Sequence, residues 1–259
     1  MKDYNKQIAS IPHFQIIRSA ETRLIADFLK GAEGPYYDIG CGDGGFASTV
    51  GLSGAYGVDI DRDALSRLKL GAVYTGAVYA SASEVPFRDA FFPTAFSNCA
   101  IEHMDGIDNV LRETARVLKP GGTLVFTAPT PFFFKAIEQD GILSGLGLNT
   151  QGVIDEYNRF HHHLNILGLE DWSLKLEKAG FTIDSSLYYL PGEIGSFVAR
   201  MDILYTIEGQ RVKKELKRLE QEYKAILGGR HMRKAVEEYL KDPHIAKEGT
   251  HIIIKAVKR

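Results

Sequence analysis

The sequence predicts an α/β protein built on a seven-stranded, mostly parallel sheet with an antiparallel last strand, flanked by helices and carrying two helical cap insertions. Three observations predict it. Short β-branched or aromatic runs alternate with helical segments from Tyr36 to Ala128. A glycine-rich turn, Gly40-Cys41-Gly42-Asp43-Gly44-Gly45, stands between the first such run and the next helix. Two further strand-like runs follow after a break in the pattern. Strands that alternate with helices imply parallel pairing and right-handed crossovers.

Between Ile11 and Leu29, the residues Phe14, Ile17, Leu24, Ile25, Phe28 and Leu29 recur at roughly helical spacing, and Gly31 and Gly34-Pro35 end that helix. Tyr36 to Ile39 reads as the first strand and Phe46 to Leu52 as the helix beyond the glycine turn. Ala55 to Ile60 is the second strand, Arg62 to Leu70 a helix, and Val73 to Tyr79 the third strand. Thr94 to Cys99 gives the fourth strand and Thr123 to Ala128 the fifth. The helix between them, Ile107 to Leu118, is stopped by Lys119-Pro120-Gly121-Gly122.

After Pro129 the pattern breaks. Pro131-Phe132-Phe133-Phe134, the glycine-rich Gly141 to Gly147, and Tyr157 to His163 follow neither period, and an insertion above the carboxyl edge of the sheet is expected there. Regularity returns with a helix from Glu170 to Ala179, closed by Gly180, and a strand from Phe181 to Leu190. Farther on, Val212, Leu216, Leu219, Tyr223 and Ile226 recur every three or four residues among Arg211, Lys213, Lys214, Lys217 and Arg218, which predicts an amphipathic helix. His251 to Val257, apolar and β-branched, is the last strand. The expected organisation is an N-terminal helix and ligand-binding core over 1–129, a lid or acceptor insertion over 130–168, and a core helix and strand over 169–190. A helical cap insertion over 191–249 and the final strand over 250–259 complete it.

With 44% hydrophobic and 25% charged residues in 259, the chain has the composition of a globular protein. The formal net charge of -2 supplies no overall basic field for nucleic-acid phosphates. Its two cysteines, Cys41 and Cys99, have neither metal-ligand nor disulfide-framework spacing, which fits reduced thiols and a cytoplasmic setting. No apolar signal core and no run of about 18 apolar residues is present, so neither export nor a transmembrane helix is expected.

The glycine turn follows a strand and opens a helix, where glycines permit a tight turn and backbone N–H groups can face a ligand. Asp59, at the end of the second strand, is placed to accept hydrogen bonds from ribose hydroxyls. These two features fit a dinucleotide equally well, because Gly40, Gly42 and Gly45 satisfy G-x-G-x-x-G. Asp38 and Asp43 tip the balance: two carboxylates oppose a pyrophosphate and suit a ligand bearing an ammonium and a sulfonium. A Walker loop is excluded, since no Gly-Lys-Ser/Thr ends the segment.

From about Tyr36 to Pro129 the chain resembles the class I, Rossmann-like S-adenosylmethionine-dependent methyltransferases, especially the small-molecule and quinone-biosynthetic subgroup. Five segments in order carry the resemblance: Asp38 to Gly44, Gly57 to Ile60, Glu84 to Phe87, Ser97 to His103, and Arg116 to Gly122. It implies S-adenosyl-L-methionine as cofactor, with Asp38 and Gly40 facing the methionine moiety, Asp59 holding the ribose, Ala82 and Ser83 beside the adenine, and Asn98 bordering the sulfonium. Cys41, Gly42 and Ile60 complete the implied cofactor set. Two departures loosen the adenine contacts: Ser81 stands where an acidic residue is common, and Phe92-Pro93 where Phe-Asp is common.

Among the remaining candidates, His103 follows the fourth strand beside Glu102 and is positioned to take a proton near neutral pH, the alternative being a residue that only shapes the pocket. His161-His162-His163 does not suggest a metal site, because consecutive side chains on an extended segment alternate in direction; His161 and His163 are expected to touch the acceptor. The phenylalanine run is a lid, an acceptor pocket or a membrane-touching surface. The amphipathic helix is a solvated face, a homodimer contact or a peripheral surface for anionic lipid. The expected reaction is in-line methyl transfer to an oxygen, nitrogen or carbon of a small or amphiphilic acceptor, leaving S-adenosylhomocysteine. Two alternatives stand beside it: a non-catalytic regulatory protein that binds S-adenosylmethionine or S-adenosylhomocysteine, and an NAD-dependent oxidoreductase. RNA is not favoured as acceptor, since the balance is mildly acidic and no RNA-binding motif is appended.

Overall fold

The computed structural model describes residues 12–207, 212–218, 221, 239 and 248–259. Its elements, in chain order, are α1 (Pro12–Phe28), β1 (Tyr36–Ile39), α2 (Gly45–Val50), β2 (Ala55–Asp59), α3 (Arg62–Arg67), β3 (Tyr74–Tyr79) and β4 (Phe92–Asn98). A 3-10 turn (Ile101–His103), α4 (Ile107–Val117), β5 (Leu118–Pro129), α5 (Phe132–Asp140), α6 (Ile142–Gly145) and α7 (Thr150–His161) follow. The series continues with α8 (Leu169–Lys178), β6 (Phe181–Tyr189), α9 (Gly192–Thr206) and β7 (His251–Lys258). Two compact units emerge: a sheet unit within Glu21–Pro129, Leu164–Leu187 and Ile252–Arg259, and a helical unit within Met1–Ala20, Thr130–His163 and Tyr188–His251.

The seven strands lie in the order β3-β2-β1-β4-β5-β7-β6, as the strand count from sequence requires. β1 pairs in parallel with β2 and with β4, Asp38 standing opposite Gly57 on one side and Phe96 on the other. β7 runs antiparallel to β5 and β6. The chain moves outward from β1 through β2 to β3, then returns to the other side of β1 with β4. That reversal opens a crevice at the carboxyl ends of β1 and β4, where open α/β sheets hold ligands.

Local chemistry explains the element ends. Asp61 caps α3, its carboxylate accepting the N–H groups of Asp63 and Ala64 at 2.9 and 3.0 Å. α4 ends at Val117, and β5 begins at once, so Lys119-Pro120-Gly121-Gly122 belongs to a strand and not to a loop. Leu118 already pairs with Phe92, the register slips before Thr94, and Gly121 takes a left-handed φ of 73°. A Cβ on Gly122 would lie 2.8 Å from the Lys119 carbonyl oxygen and 3.1 Å from that of Pro93, so glycine is what lets the bulged strand close on β4.

The segment that follows neither period in the sequence is helical: α5, α6 and α7 cover most of it. Asn149 caps α7 by accepting the Gly152 N–H at 2.8 Å. Of the phenylalanine run, Phe133 is buried and Phe134 partly so, with Ile137, Leu143, Val153, Tyr157, Met201 and Leu204 around them. The run is therefore part of the core of the helical unit. The predicted amphipathic helix falls within the described residues only at 212–218 and 221; Leu219, Tyr223 and Ile226 lie outside them. Among the described residues no helix is long and apolar enough to cross a membrane.

In the sheet unit Trp172 of α8 is fully buried, its ring 4.9 Å from that of Phe126 on β5. Its indole N–H has no hydrogen-bond partner. Trp172→Ala should destabilise the protein by about 3–5 kcal/mol. Trp172→Phe should cost clearly less, because no hydrogen bond is lost with the indole; urea unfolding of both variants measures the difference.

Candidate functional site

The glycine loop leaves β1 at Ile39 and is drawn onto the end of β2. The N–H groups of Gly40 and Cys41 both donate to the Val58 carbonyl, at 2.9 and 3.1 Å. Gly40 has a φ of 75°, and a Cβ there would fall 2.5 Å from the Ala100 Cβ, so only glycine fits. Gly42, with a φ of 53°, faces open space and leaves its backbone approachable. The Cys41 thiol fills the gap left by Gly57, where a Cβ would come within 2.5 Å of the sulfur. Burial pushes that thiol well above its ordinary range, and the charges of Asp38 and Asp59 add to the effect. It stays protonated and is a packing group, as its place in a crowded turn suggested.

Asp59 closes the other side of the loop. One carboxylate oxygen accepts the Gly42 N–H at 2.7 Å and the other the Asp61 N–H at 2.8 Å. A carboxylate has about four acceptor sites, so capacity remains for two vicinal hydroxyls. Ile60 beside it is 71% exposed, and Tyr79, at the end of β3, is also exposed with the Arg62 guanidinium 4.0 Å above its ring. An acceptor-rich carboxylate next to exposed apolar side chains suits a nucleoside.

The start of α2 is occupied from within: Asp43 accepts the Gly45 N–H at 3.0 Å. A terminus already capped by a carboxylate is a poor phosphate cradle, which strengthens the case against a pyrophosphate. Asp38 is buried and accepts a hydrogen bond from the Tyr74 hydroxyl of β3. Burial pushes its carboxyl up to about 7, the Tyr74 hydrogen bond opposing the rise and the Asp59 charge adding to it. At neutral pH Asp38 is therefore close to its midpoint.

Farther along the edge, Ala82 is buried and Ser83 shares a 2.8 Å hydrogen bond with Ser81. Arg116 of α4 pins the loop behind them, donating to the carbonyls of Val85 and Phe87 and to Glu113 and Asp89. At the end of β4 the Asn98 side chain is turned to protein partners: its amide N–H donates to Glu21 of α1 at 3.0 Å, and its oxygen accepts from Thr127 of β5 at 3.0 Å. The Cys99 thiol donates to the other Glu21 oxygen at 2.9 Å. The Asn98 side chain is thereby held in place by α1 and β5.

His103 sits in the 3-10 turn with its side chain 37% exposed and Nε2 3.7 Å from the buried Glu102. Asn165 fixes that turn from the chain after α7, donating to the carbonyls of Ile101 and Met104 at 3.0 and 2.7 Å. Sequence reasoning missed Glu21, Tyr74 and Asn165. Glu21 alone left a trace, as a charge among the apolar positions of the first helix.

In the helical unit the histidine run is the end of α7 and not an extended segment. His162 takes a left-handed φ of 53°, so His161 and His163 come to the same side, their rings stacked at 5.4 Å. His161 Nε2 lies 3.1 Å from the Thr206 hydroxyl, and burial holds the ring below the ordinary histidine range. His163 Nδ1 is 3.1 Å from Asn158 Oδ1. Asp202 accepts the Tyr157 hydroxyl at 2.6 Å and lies 3.4 Å from Nε2 of the fully buried His13. Burial opposes its charge, but His13, Tyr157 and His161 together hold its carboxyl below the usual range.

Residues 37–126 match a family described as a methyltransferase domain. The O-methyltransferase resE of Aspergillus sclerotiorum is 33% identical over 115 residues, covering 40% of this chain and 43% of its own. The 27-O-demethylrifamycin SV methyltransferase of Amycolatopsis mediterranei is 31% identical over 173 residues, covering 60% of this chain and 62% of its own. The malonyl-[acyl-carrier protein] O-methyltransferase of Erwinia pyrifoliae is 27% identical over 127 residues, 48% of each chain. The chain thus spans less than two thirds of the length of these relatives. Among solved structures, an S-adenosylmethionine-dependent methyltransferase of Thermotoga maritima superposes with a TM-score of 0.56 at 16% identity, covering 94% of this chain and 91% of that one. The geranyl diphosphate C-methyltransferase of Streptomyces coelicolor, solved with S-adenosyl-L-homocysteine, gives 0.57 at 16% identity over 93% of this chain and 77% of that one. These two likenesses speak for the fold.

Because the folded pKa of Asp38 lies above its unfolded value, the native state binds more protons between about pH 4 and pH 7, and stability falls as pH rises through that window. Asp38→Asn keeps an acceptor for Tyr74 and removes the buried charge. The variant should be more stable than wild type by about 1–3 kcal/mol near pH 8, with the gap closing below pH 5; paired thermal melts at the two pH values check it.

Proposed function

We propose that this chain, whose residues 37–126 match a methyltransferase domain, is a class I S-adenosylmethionine-dependent methyltransferase that transfers a methyl group to an oxygen of a small or amphiphilic acceptor. Its cofactor is S-adenosylmethionine. The observation that carries the reading is the clasp of Gly42 and Asp59 at the carboxyl ends of β1 and β2, in which a carboxylate with spare acceptor capacity, an approachable glycine backbone and the exposed Ile60 stand together. Oxygen is preferred as acceptor atom because the fungal and malonyl relatives are O-methyltransferases by name and the third is named for a 27-O-demethyl substrate.

The residue roles in this reading are assigned as follows. Asp59 accepts from the ribose hydroxyls, Ile60 packs against the adenine, and Ala82 and Ser83 border the ring from the loop that Arg116 fixes. Gly40, Cys41 and Gly42 contribute backbone, and Asp38 receives the ammonium side of the methionine moiety, losing its proton as that cation settles. The Asn98 backbone borders the sulfonium. When bound, the cofactor supplies a methyl group on a positively charged sulfur, which leaves on in-line attack. His103 takes the acceptor proton, and Glu102 orients its ring. His161 and His163 are assigned to the acceptor. The two insertions, 130–168 and 191–249, are assigned to acceptor binding in this reading, and the protein works as a soluble, cytoplasmic enzyme on a small molecule.

Calorimetry should find micromolar binding of S-adenosylmethionine and S-adenosylhomocysteine, lost in Asp59→Ala, with no binding of NAD; binding of NAD alone would overturn the reading. Affinity for both ligands should rise from pH 6 to pH 8 as Asp38 ionises, more steeply than in Asp38→Asn. Once an acceptor is in hand, His103→Ala should lower turnover by about 10²–10⁴-fold while leaving cofactor affinity within about twofold. An unchanged rate would reduce His103 to a pocket wall.

A further inference from the structure

Glu21 is a fully buried carboxylate on α1, and none of the roles above uses it. Both of its oxygens are engaged at one spot, the carboxyl end of β4. One accepts the Asn98 amide at 3.0 Å and the other the Cys99 thiol at 2.9 Å. Thr127 completes the arrangement from β5, donating its hydroxyl to the Asn98 oxygen and accepting the Cys99 N–H, both at 3.0 Å. The backbone it holds is unusual: Cys99 has a φ of 43°, a left-handed conformation that side chains other than glycine, asparagine and aspartate seldom adopt. Such a conformation persists where the surroundings over-determine it. Here two residues on neighbouring elements grip both the side chain and the backbone of the turn.

We infer that Glu21 is a positioning and selectivity residue that holds the Asn98–Cys99 turn against the sulfonium and makes the site favour the cationic cofactor over its neutral, demethylated product. The inference rests on the cofactor reading above and deepens it. Taking a carboxylate out of water is costly, so a buried carboxyl such as Glu21 holds its charge best when a cation stands close to it, and the interior amplifies that attraction. Glu21 lies one hydrogen bond behind the residue that borders the sulfonium. S-adenosylmethionine carries a positive charge at that sulfur and S-adenosylhomocysteine does not, so a carboxylate behind Asn98 stabilises the first and is indifferent to the second. Transfer of the methyl group removes the cation from the cofactor, and with it the part of the affinity that Glu21 supplies. Glu21 touches neither reacting atom in this account; it acts through Asn98 and through its field.

The test is calorimetric binding of S-adenosylmethionine, S-adenosylhomocysteine and sinefungin, whose amine places a cation where the sulfonium sits, to wild type and Glu21→Gln. Glutamine keeps the shape and an acceptor oxygen but discards the charge. The expected result is a loss on the order of tenfold for the two cationic ligands with S-adenosylhomocysteine held within about twofold. Equal losses for all three would reduce Glu21 to a structural strut, and no loss for any would dismiss it; either result overturns the inference. Thr127→Val, which loosens the same turn and leaves Glu21 charged, should weaken all three ligands alike, and a cation-selective loss there also counts against Glu21. If Glu21→Gln does not fold, Glu21→Asp carries the test, since drawing the charge back by one methylene should lower the ratio of cationic to neutral affinity in the same direction; an unchanged ratio overturns the inference. Failure of wild type to bind any of the three ligands would instead refute the cofactor reading itself.

Discussion

The hydrogen bond from the Gly42 N–H to Asp59 is the contact on which the site depends. It joins the turn after β1 to the end of β2, and it works only because the loop lies flat on β2. That closeness has a steric cause: Gly57 has no Cβ, and the Cys41 sulfur occupies the space one would take. Two glycines in left-handed conformations then let the chain turn, and Asp59, held by Gly42 and Asp61, keeps one orientation in which its remaining acceptor capacity faces outward. The loop, the strand and the carboxylate are one mechanical piece.

Charge is distributed around that piece in a way the sequence shows only in part. Asp38 and Asp43 look equivalent as letters, two acids flanking a glycine run. In the structure Asp43 is spent on the first N–H of α2, and Asp38 is sunk against Tyr74 with its carboxyl pushed up to about 7. The distinction comes from a partner 36 residues away in the chain, on the far side of β2, and no local pattern announces it.

The sheet was legible because each strand is a short apolar or aromatic run between strong turn residues, and the order of alternation restricts the topology to few choices. The places of Asp59 and the glycine turn at the ends of β2 and β1 were legible for the same reason, since local spacing fixes where they stand. Three things were not. The residues 119–122 look like a helix stop and a loop, and they form a strand because pairing with β4 overrides the local signal. The insertion after Pro129 reads as irregular because its helices are short and bury their apolar faces among themselves, so no long period develops. Glu21 shows in the sequence only as a charge on an apolar helix face, and its partners, Asn98 and Cys99, could not be read there because they lie 77 and 78 residues away.

The burial of the chain's one tryptophan has a practical side. Trp172 belongs to the sheet unit, shielded from water and stacked edge-on to Phe126, while the helical unit has tyrosines and no indole. Nature has thereby installed a single intrinsic fluorophore in one half of the molecule. Its emission, blue-shifted in an apolar setting with no hydrogen bond to its ring nitrogen, reports on the half that carries the glycine loop and is blind to the other. Set beside far-ultraviolet circular dichroism, which sees every helix, that one signal can tell whether the two parts of the protein come apart together or in turn.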